Sequence, residues 1–137
     1  MTRFETWPMI LSDILRERQT MPFQWGVNDC MLFCSDVVYA LTGEDPAAEI
    51  HGTYDDEMSA YNVIGYYGDT VEAIIEAKLG ESKSVSFAAR GDIVTYNCNG
   101  RMCGGVVDDT ARRAAFIMPE KGLTRIPLKL CLSAWGY

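Results

Sequence analysis

The stretch "FQWGVNDCMLFCSDVVYALTG", residues Phe23 to Gly43, carries one continuous apolar stripe of helical period. Cys30, Phe33, Cys34, Val37, Val38 and Leu41 recur at the three- and four-residue spacings that line a single helix face. Asn28 and Asp29 stand just before the run, and both residue types cap helix starts by accepting a backbone N–H. Gly43 follows as a C-terminal stop. The pattern predicts a helix that opens at Cys30, closes before Gly43 and is buried on one face.

Working outward, residues 10–19 predict a first amphipathic helix with Ile10, Leu11, Ile14 and Leu15 on one side. "TMPFQWG" between them reads as a loop. Downstream, "GEDPAAEIHGTY" is a turn-rich connection, followed by shorter helices over about 56–64 and 70–79. In the second of these Val71, Ile74, Ile75 and Leu79 share a face, and Gly80 ends it. The period then changes. "GDIVTYNCNGRMCGGVVDD" reads as two strands joined at Asn99-Gly100, a dipeptide whose two residues both tolerate the positive φ of a tight hairpin. A two-residue loop there sets Cys98 opposite Arg101 and Tyr96 opposite Cys103. "AAFIMP" and "LTRIPL" predict two more strands around a turn at Glu120-Lys121-Gly122. Helices first and a small antiparallel sheet second make the fold class α+β. No repeat, linker or low-complexity tract divides the chain, which predicts one domain over residues 1–137. Residues 1–22 form an N-terminal segment with a short helix, where Phe4, Trp7, Pro8 and Met9 offer a mixed aromatic and apolar contact for a partner.

The bulk properties narrow the function. The chain has 137 residues, enough for a real core, with 48% hydrophobic and 23% charged residues. A net charge of −7 argues against nucleic acid, whose phosphates need a basic surface, and against an anionic membrane surface. Glu5 and Asp13 interrupt the N-terminal stretch, so no signal peptide is expected, and no segment reaches the roughly 18 apolar residues of a membrane span. These features predict a soluble protein made in a cytoplasm, with reduced thiols at Cys30, Cys34, Cys98, Cys103 and Cys131.

Cys30 is the candidate nucleophile. A thiol in the first turn of a helix meets the positive end of the helix dipole and unpaired N–H groups, which favour the thiolate and can help to bind an oxyanion. Cysteine is also a common core residue, and Cys30 opens the apolar stripe, so spacing alone favours core packing. A thiol nucleophile needs a base, normally histidine. The only histidine is His51, in the loop "EIHGTY", where an exposed structural role is the plainer reading.

Taken together, "WGVNDCMLFCSDVVYALTGEDPA", "GTY", "ARGDIVTY", "GGVV" and a C-terminal "AW" resemble the NlpC/P60-like proteins of tailed phages and prophages. Within that group the chain is most similar to the short DUF6950-like form. The resemblance runs from about Phe23 to Trp135. It implies a papain-like fold, in which a nucleophilic cysteine opens a helix packed on an antiparallel sheet. The second strand of that sheet begins with a catalytic histidine, in a motif like "HVGIY". Active members cleave peptide bonds of peptidoglycan. Carried over, Cys30 takes the nucleophile position, and Gly91 and Asp92 take the "GD" that begins the first hairpin strand. "CGGVV" stands where "HVGIY" is expected, which puts Cys103 in the histidine position. A second thiol does not replace an imidazole near neutral pH. His51 could swing in from its loop, which the family pattern does not support, Cys103 could act as an unusual thiolate base, or a partner protein could supply the missing group; the plainer reading is a catalytically silent copy of a peptidase fold.

Two functional expectations follow from the resemblance. The first is a structural or assembly component of a bacteriophage tail, near the tail tip, with a degenerate hydrolase fold, other tail proteins as partners and the virion as its location. The alternative is an active cysteine peptidase or amidase on peptidoglycan, with Cys30 as nucleophile. Neither implies a cofactor.

Other arrangements of the same residues are weaker. Cys30 with Cys34 and Cys98 with Cys103 lack the C-x2-C spacing of common zinc ribbons. Across the hairpin, Cys98 and Cys103 share a face only diagonally, at roughly 7 Å, beyond comfortable disulfide reach. The run "YDDE", Tyr54–Glu57, lacks the spaced ligands of a calcium loop and reads as a helix start capped by Asp55 or Asp56. Tyr54, Tyr61, Tyr66 and Tyr67 could line a groove, although boundary packing with surface hydroxyls is the commoner arrangement.

Overall fold

A computed structural model describes residues 1–109 and 112–137. Among them the element order is four α-helices followed by five strands. Helix α1 spans Trp7–Arg18, beginning three residues before the predicted start at residue 10. Pro8 lies in its first turn, where a missing N–H costs no hydrogen bond, so the proline opens the helix. Helix α2 spans Cys30–Thr42, with Asp29 as N-cap and Gly43 in the left-handed conformation at φ 81°. Helix α3 spans Glu57–Tyr66, where Asp56 and Ser59 bond each other's backbone in a reciprocal cap. Helix α4 spans Val71–Leu79 behind Thr70, whose hydroxyl accepts from Ala73 N–H at 3.0 Å.

Strands β1 (Ile93–Cys98), β2 (Arg101–Asp109), β3 (Arg113–Met118), β4 (Gly122–Pro127) and β5 (Ala134–Trp135) form one sheet in the order β4-β3-β2-β1-β5. Every pairing is antiparallel. The hairpin turns at Asn99 (φ 53°) and Gly100 (φ 87°), with Tyr96 opposite Cys103 and Cys98 opposite Arg101, as the dipeptide predicts. The two-residue strand β5 went unpredicted, because two residues carry no alternation.

The sheet is buried on both faces, and alternate residues serve different cores. Ile93, Val106, Ala115 and Ile117 pack under Phe33, Val37, Val38 and Leu41 of α2. Their neighbours Val94, Val107, Ala114 and Phe116 join Cys103, Leu128 and Ala134 in a second cluster. This explains why β3 reads as a nearly unbroken apolar run rather than an alternating one.

The N-terminal segment is tied down rather than free. Arg3 donates to Asp92 at 3.0 Å and to the Arg90 carbonyl at 2.9 Å, and its guanidinium lies over the rings of Trp7 and Tyr137. Trp7, expected in an exposed contact, is therefore half-buried against the core, while Phe4, Pro8 and Met9 remain exposed. No helix among the described residues is long and apolar enough to cross a membrane.

Candidate functional site

The site forms where the start of α2 meets β2. Asp29 is buried, and its carboxylate accepts from Leu32 N–H at 2.9 Å, from Gly26 N–H at 2.9 Å and from the Tyr54 hydroxyl at 2.5 Å. Asn28, also buried, accepts from Arg18 at 3.0 Å and donates to the Pro22 carbonyl at 3.0 Å. Arg18 reaches on to Asp36 at 2.6 Å, which joins α1, the 20–28 loop and α2 in one network. The loop and the helix start are thus positioned by charge-assisted hydrogen bonds.

Close approach to the strand depends on Gly104. A Cβ there would lie 2.9 Å from Met31 Sδ and 3.2 Å from Cys34 Sγ. With none present, α2 settles onto β2. Among the described residues the β2–β3 ladder runs from Val106 to Asp109.

Cys30 packs against the cluster that holds Cys103, whose Sγ lies 3.9 Å from the Arg101 carbonyl oxygen. Both are free cysteines. Cys30 is half-buried and Cys103 is buried, at 2% exposure. The chemistry anticipated for a thiol at a helix start is reversed. The hydrogen bond with Cys103, and then burial, hold the Cys30 pKa well above the ordinary thiol value. Cys103 is the more acidic partner, lowered first by its hydrogen bond from Cys30 and, against burial, by the Arg101 charge. Asp29 already occupies the Leu32 N–H at the helix start, so that donor does not turn to Cys30. Burial keeps Cys34, one turn along, protonated.

His51 does not join them. Its Nε2 pairs with Asp45 Oδ2 at 3.0 Å on an exposed stretch. Cys98 stays diagonal to Cys103 across the hairpin. Among the described residues no group of three or more His, Cys, Asp or Glu is arranged to hold a metal ion.

Beside Cys30 opens an apolar cleft of about 110 Å³, with Trp25, Met31, Tyr54, Tyr61 and Met102 in its walls. The tyrosines divide here. Tyr54 turns its hydroxyl inward to Asp29 instead of toward the surface, and burial followed by the Asp29 charge keeps the phenol protonated. Tyr61 lines the cleft, whereas Tyr66 is exposed and Tyr67 donates to Glu49 at 2.8 Å. Arg101 bonds Glu57 at 2.9 Å and lies over the Trp25 ring, 5.8 Å from its centroid.

Residues 2–137 match a family described as a domain of unknown function, DUF6950. The chain belongs to the DUF6950 family. No curated protein matches it. In this DUF6950 chain the sequence pointed to Cys30 and Cys103 but not to the parts Tyr54 and Arg101 play. A tyrosine 25 residues from the carboxylate it bonds leaves no local pattern. Arg101 was legible only as the residue after the hairpin turn.

Proposed function

We propose that the protein is a structural or assembly component of a bacteriophage tail, near the tail tip, built on a papain-like NlpC/P60-type domain without hydrolase chemistry. The single observation that carries the second half of this reading is what surrounds Cys30. The cluster that Cys30 packs against holds a thiol, Cys103, where acyl transfer through a cysteine needs an imidazole. A Cys30 held protonated is a poor nucleophile, because the thiolate is the reactive form. The sole histidine is engaged elsewhere with Asp45.

The papain-like assignment draws support from the order of parts. A cysteine opens the helix that packs on an antiparallel sheet, and the second strand of the first hairpin carries Cys103 in the cluster that Cys30 packs against. The tail assignment rests on the resemblance of the quoted motifs to phage NlpC/P60-like proteins. It makes other tail proteins the partners and the virion the location, with peptidoglycan a surface met without cleavage.

Two measurements test this. Purified peptidoglycan incubated with the protein should release no more muropeptide fragments than with Cys30→Ala. Peptide mass spectrometry of purified virions from a host carrying the gene should find the chain in stoichiometric amounts. Cys30-dependent fragment release would overturn the first half, and absence from virions the second.

A further inference from the structure

We infer that the apolar cleft beside Cys30 is a binding site for a small, neutral, apolar molecule the size of one aromatic ring. The inference stands on the shape and lining of the cleft and does not depend on the tail reading.

The cleft lies where all three later helices meet the sheet. Val38 of α2, Ile64 of α3, Ile74 and Ile75 of α4, Ile93 of β1 and Met102 of β2 line one space. Val38, Ile75 and Ile93 belong to the main core, so the space reaches inward from the surface. Protein interiors pack closely and leave few voids larger than a water molecule. Here the packing stops short on the α3 side. Helix α3 buries only Ala60, and a methyl group is too small to close the gap.

The chemistry of the wall selects the occupant. The Tyr54 hydroxyl donates to Asp29 at 2.5 Å, and the Ser35 hydroxyl donates to the Leu32 carbonyl at 2.9 Å. Arg101 donates to Glu57 at 2.9 Å, and Lys78 pairs with Glu49. These polar groups bond protein partners, and the surface that an occupant meets is almost wholly apolar. Cys30 and Cys34 add thiols, which behave as small hydrophobes. A charged or hydroxylated ligand would lose its water there and gain no partner. A hydrocarbon loses nothing and fills space that close packing leaves open. Size narrows the choice further. The cleft holds about 110 Å³, and an apolar protein cavity of roughly 150 Å³ stays dry and takes up benzene. One ring is therefore the upper limit for the enclosed part of the ligand.

The test uses the full-length protein with labelled methyl groups, titrated with benzene and followed by NMR. The expected result is a saturable shift of the Val38, Ile64, Ile74, Ile75 and Ile93 methyls. The melting temperature should climb with benzene concentration, because the ligand binds the folded state. Phenol should bind roughly 10-fold more weakly, since its hydroxyl goes unpaired in the cleft. Ala60→Met fills the space from α3 and should abolish the methyl shifts while leaving the amide spectrum folded. Four results would each overturn the proposal: no saturable shift up to the solubility of benzene, shifts centred on other residues, phenol binding as tightly as benzene, or a folded Ala60→Met that binds like the wild type. Methyl shifts that follow protein concentration without benzene would make a side chain of a second copy the occupant, and would overturn it too. If Ala60→Met does not fold, the comparison of benzene with phenol on the wild type decides.

Discussion

The Tyr54 hydroxyl donates to Asp29 Oδ2 at 2.5 Å, fastening the loop before α3 to the N-cap of α2. This bond holds one wall of the cleft against the turn that presents Cys30. Tyr54→Phe removes one of three donors from a buried carboxylate and should cost about 2 kcal/mol, the range for hydrogen bonds to charged groups. Asp29→Ala should cost more, about 3 kcal/mol, because it deletes a helix cap and orphans two further donors. Urea unfolding checks both, with an unchanged midpoint for Tyr54→Phe counting against the fastening role.

Cys30 is held protonated chiefly by Cys103. Cys103→Ser removes the thiol whose side-chain interaction, ahead of burial and of its charge, opposes ionisation of Cys30. The Cys30 pKa should fall, and a fall of one unit gives ~10-fold more thiolate at a fixed pH below it. Iodoacetamide alkylation at about pH 8, followed by peptide mass spectrometry, should show faster modification of Cys30 in the variant than in the wild type. Equal rates would remove the claim that Cys103 suppresses its nucleophilicity.

Alkaline stability follows from the buried thiols. Burial keeps Cys34 protonated and lifts Cys131 to about 11. Unfolded thiols ionise near 8.5, so above that pH the folded state binds more protons than the unfolded one. Their contribution is complete below about pH 8.5 and declines as pH rises toward the folded values. Cys103 works in the opposite sense, because its folded pKa is lowered. Urea midpoints should therefore fall between about pH 9 and about pH 11, and Cys131→Ala should flatten part of that fall.

Adjacent glycines on β2 should respond unequally. A Cβ on Gly105 would lie 2.6 Å from the Phe116 ring and 2.7 Å from the Ala115 carbonyl oxygen, neither of which can move cheaply. At Gly104 the nearest atom is the flexible Met31 sulfur. Gly105→Ala should cost about 3 kcal/mol and Gly104→Ala about 1 kcal/mol, within the range for overpacked cores. Thermal melts should preserve that order.

The local rules read well from the sequence alone. The stripe from Cys30 to Leu41 with Asp29 before it and Gly43 after it specified α2, because caps and helical period lie within a few residues of one another. Asn99-Gly100 specified the hairpin and its register, because the turn sets which residues face each other. The beginning of α1 was less legible, since Pro8 looks like a helix breaker until its place in the first turn is known. Strand β5 was invisible because its two residues acquire strand character only by pairing with β1.

The sequence by itself determined the helices, the hairpin, the α+β order and the presence of a cysteine at a helix start. Only the tertiary structure decided what that cysteine faces and how it ionises. Cys30 and Cys103 come from elements with no local sequence relation, and only the packing of α2 on the sheet puts Cys30 against the cluster that holds Cys103. The protonation of a thiol depends on what surrounds it in space. The hydrogen bond to Cys103, burial and the use of a helix-start donor by Asp29 are all products of packing, and they reverse the chemistry that helix position alone would predict.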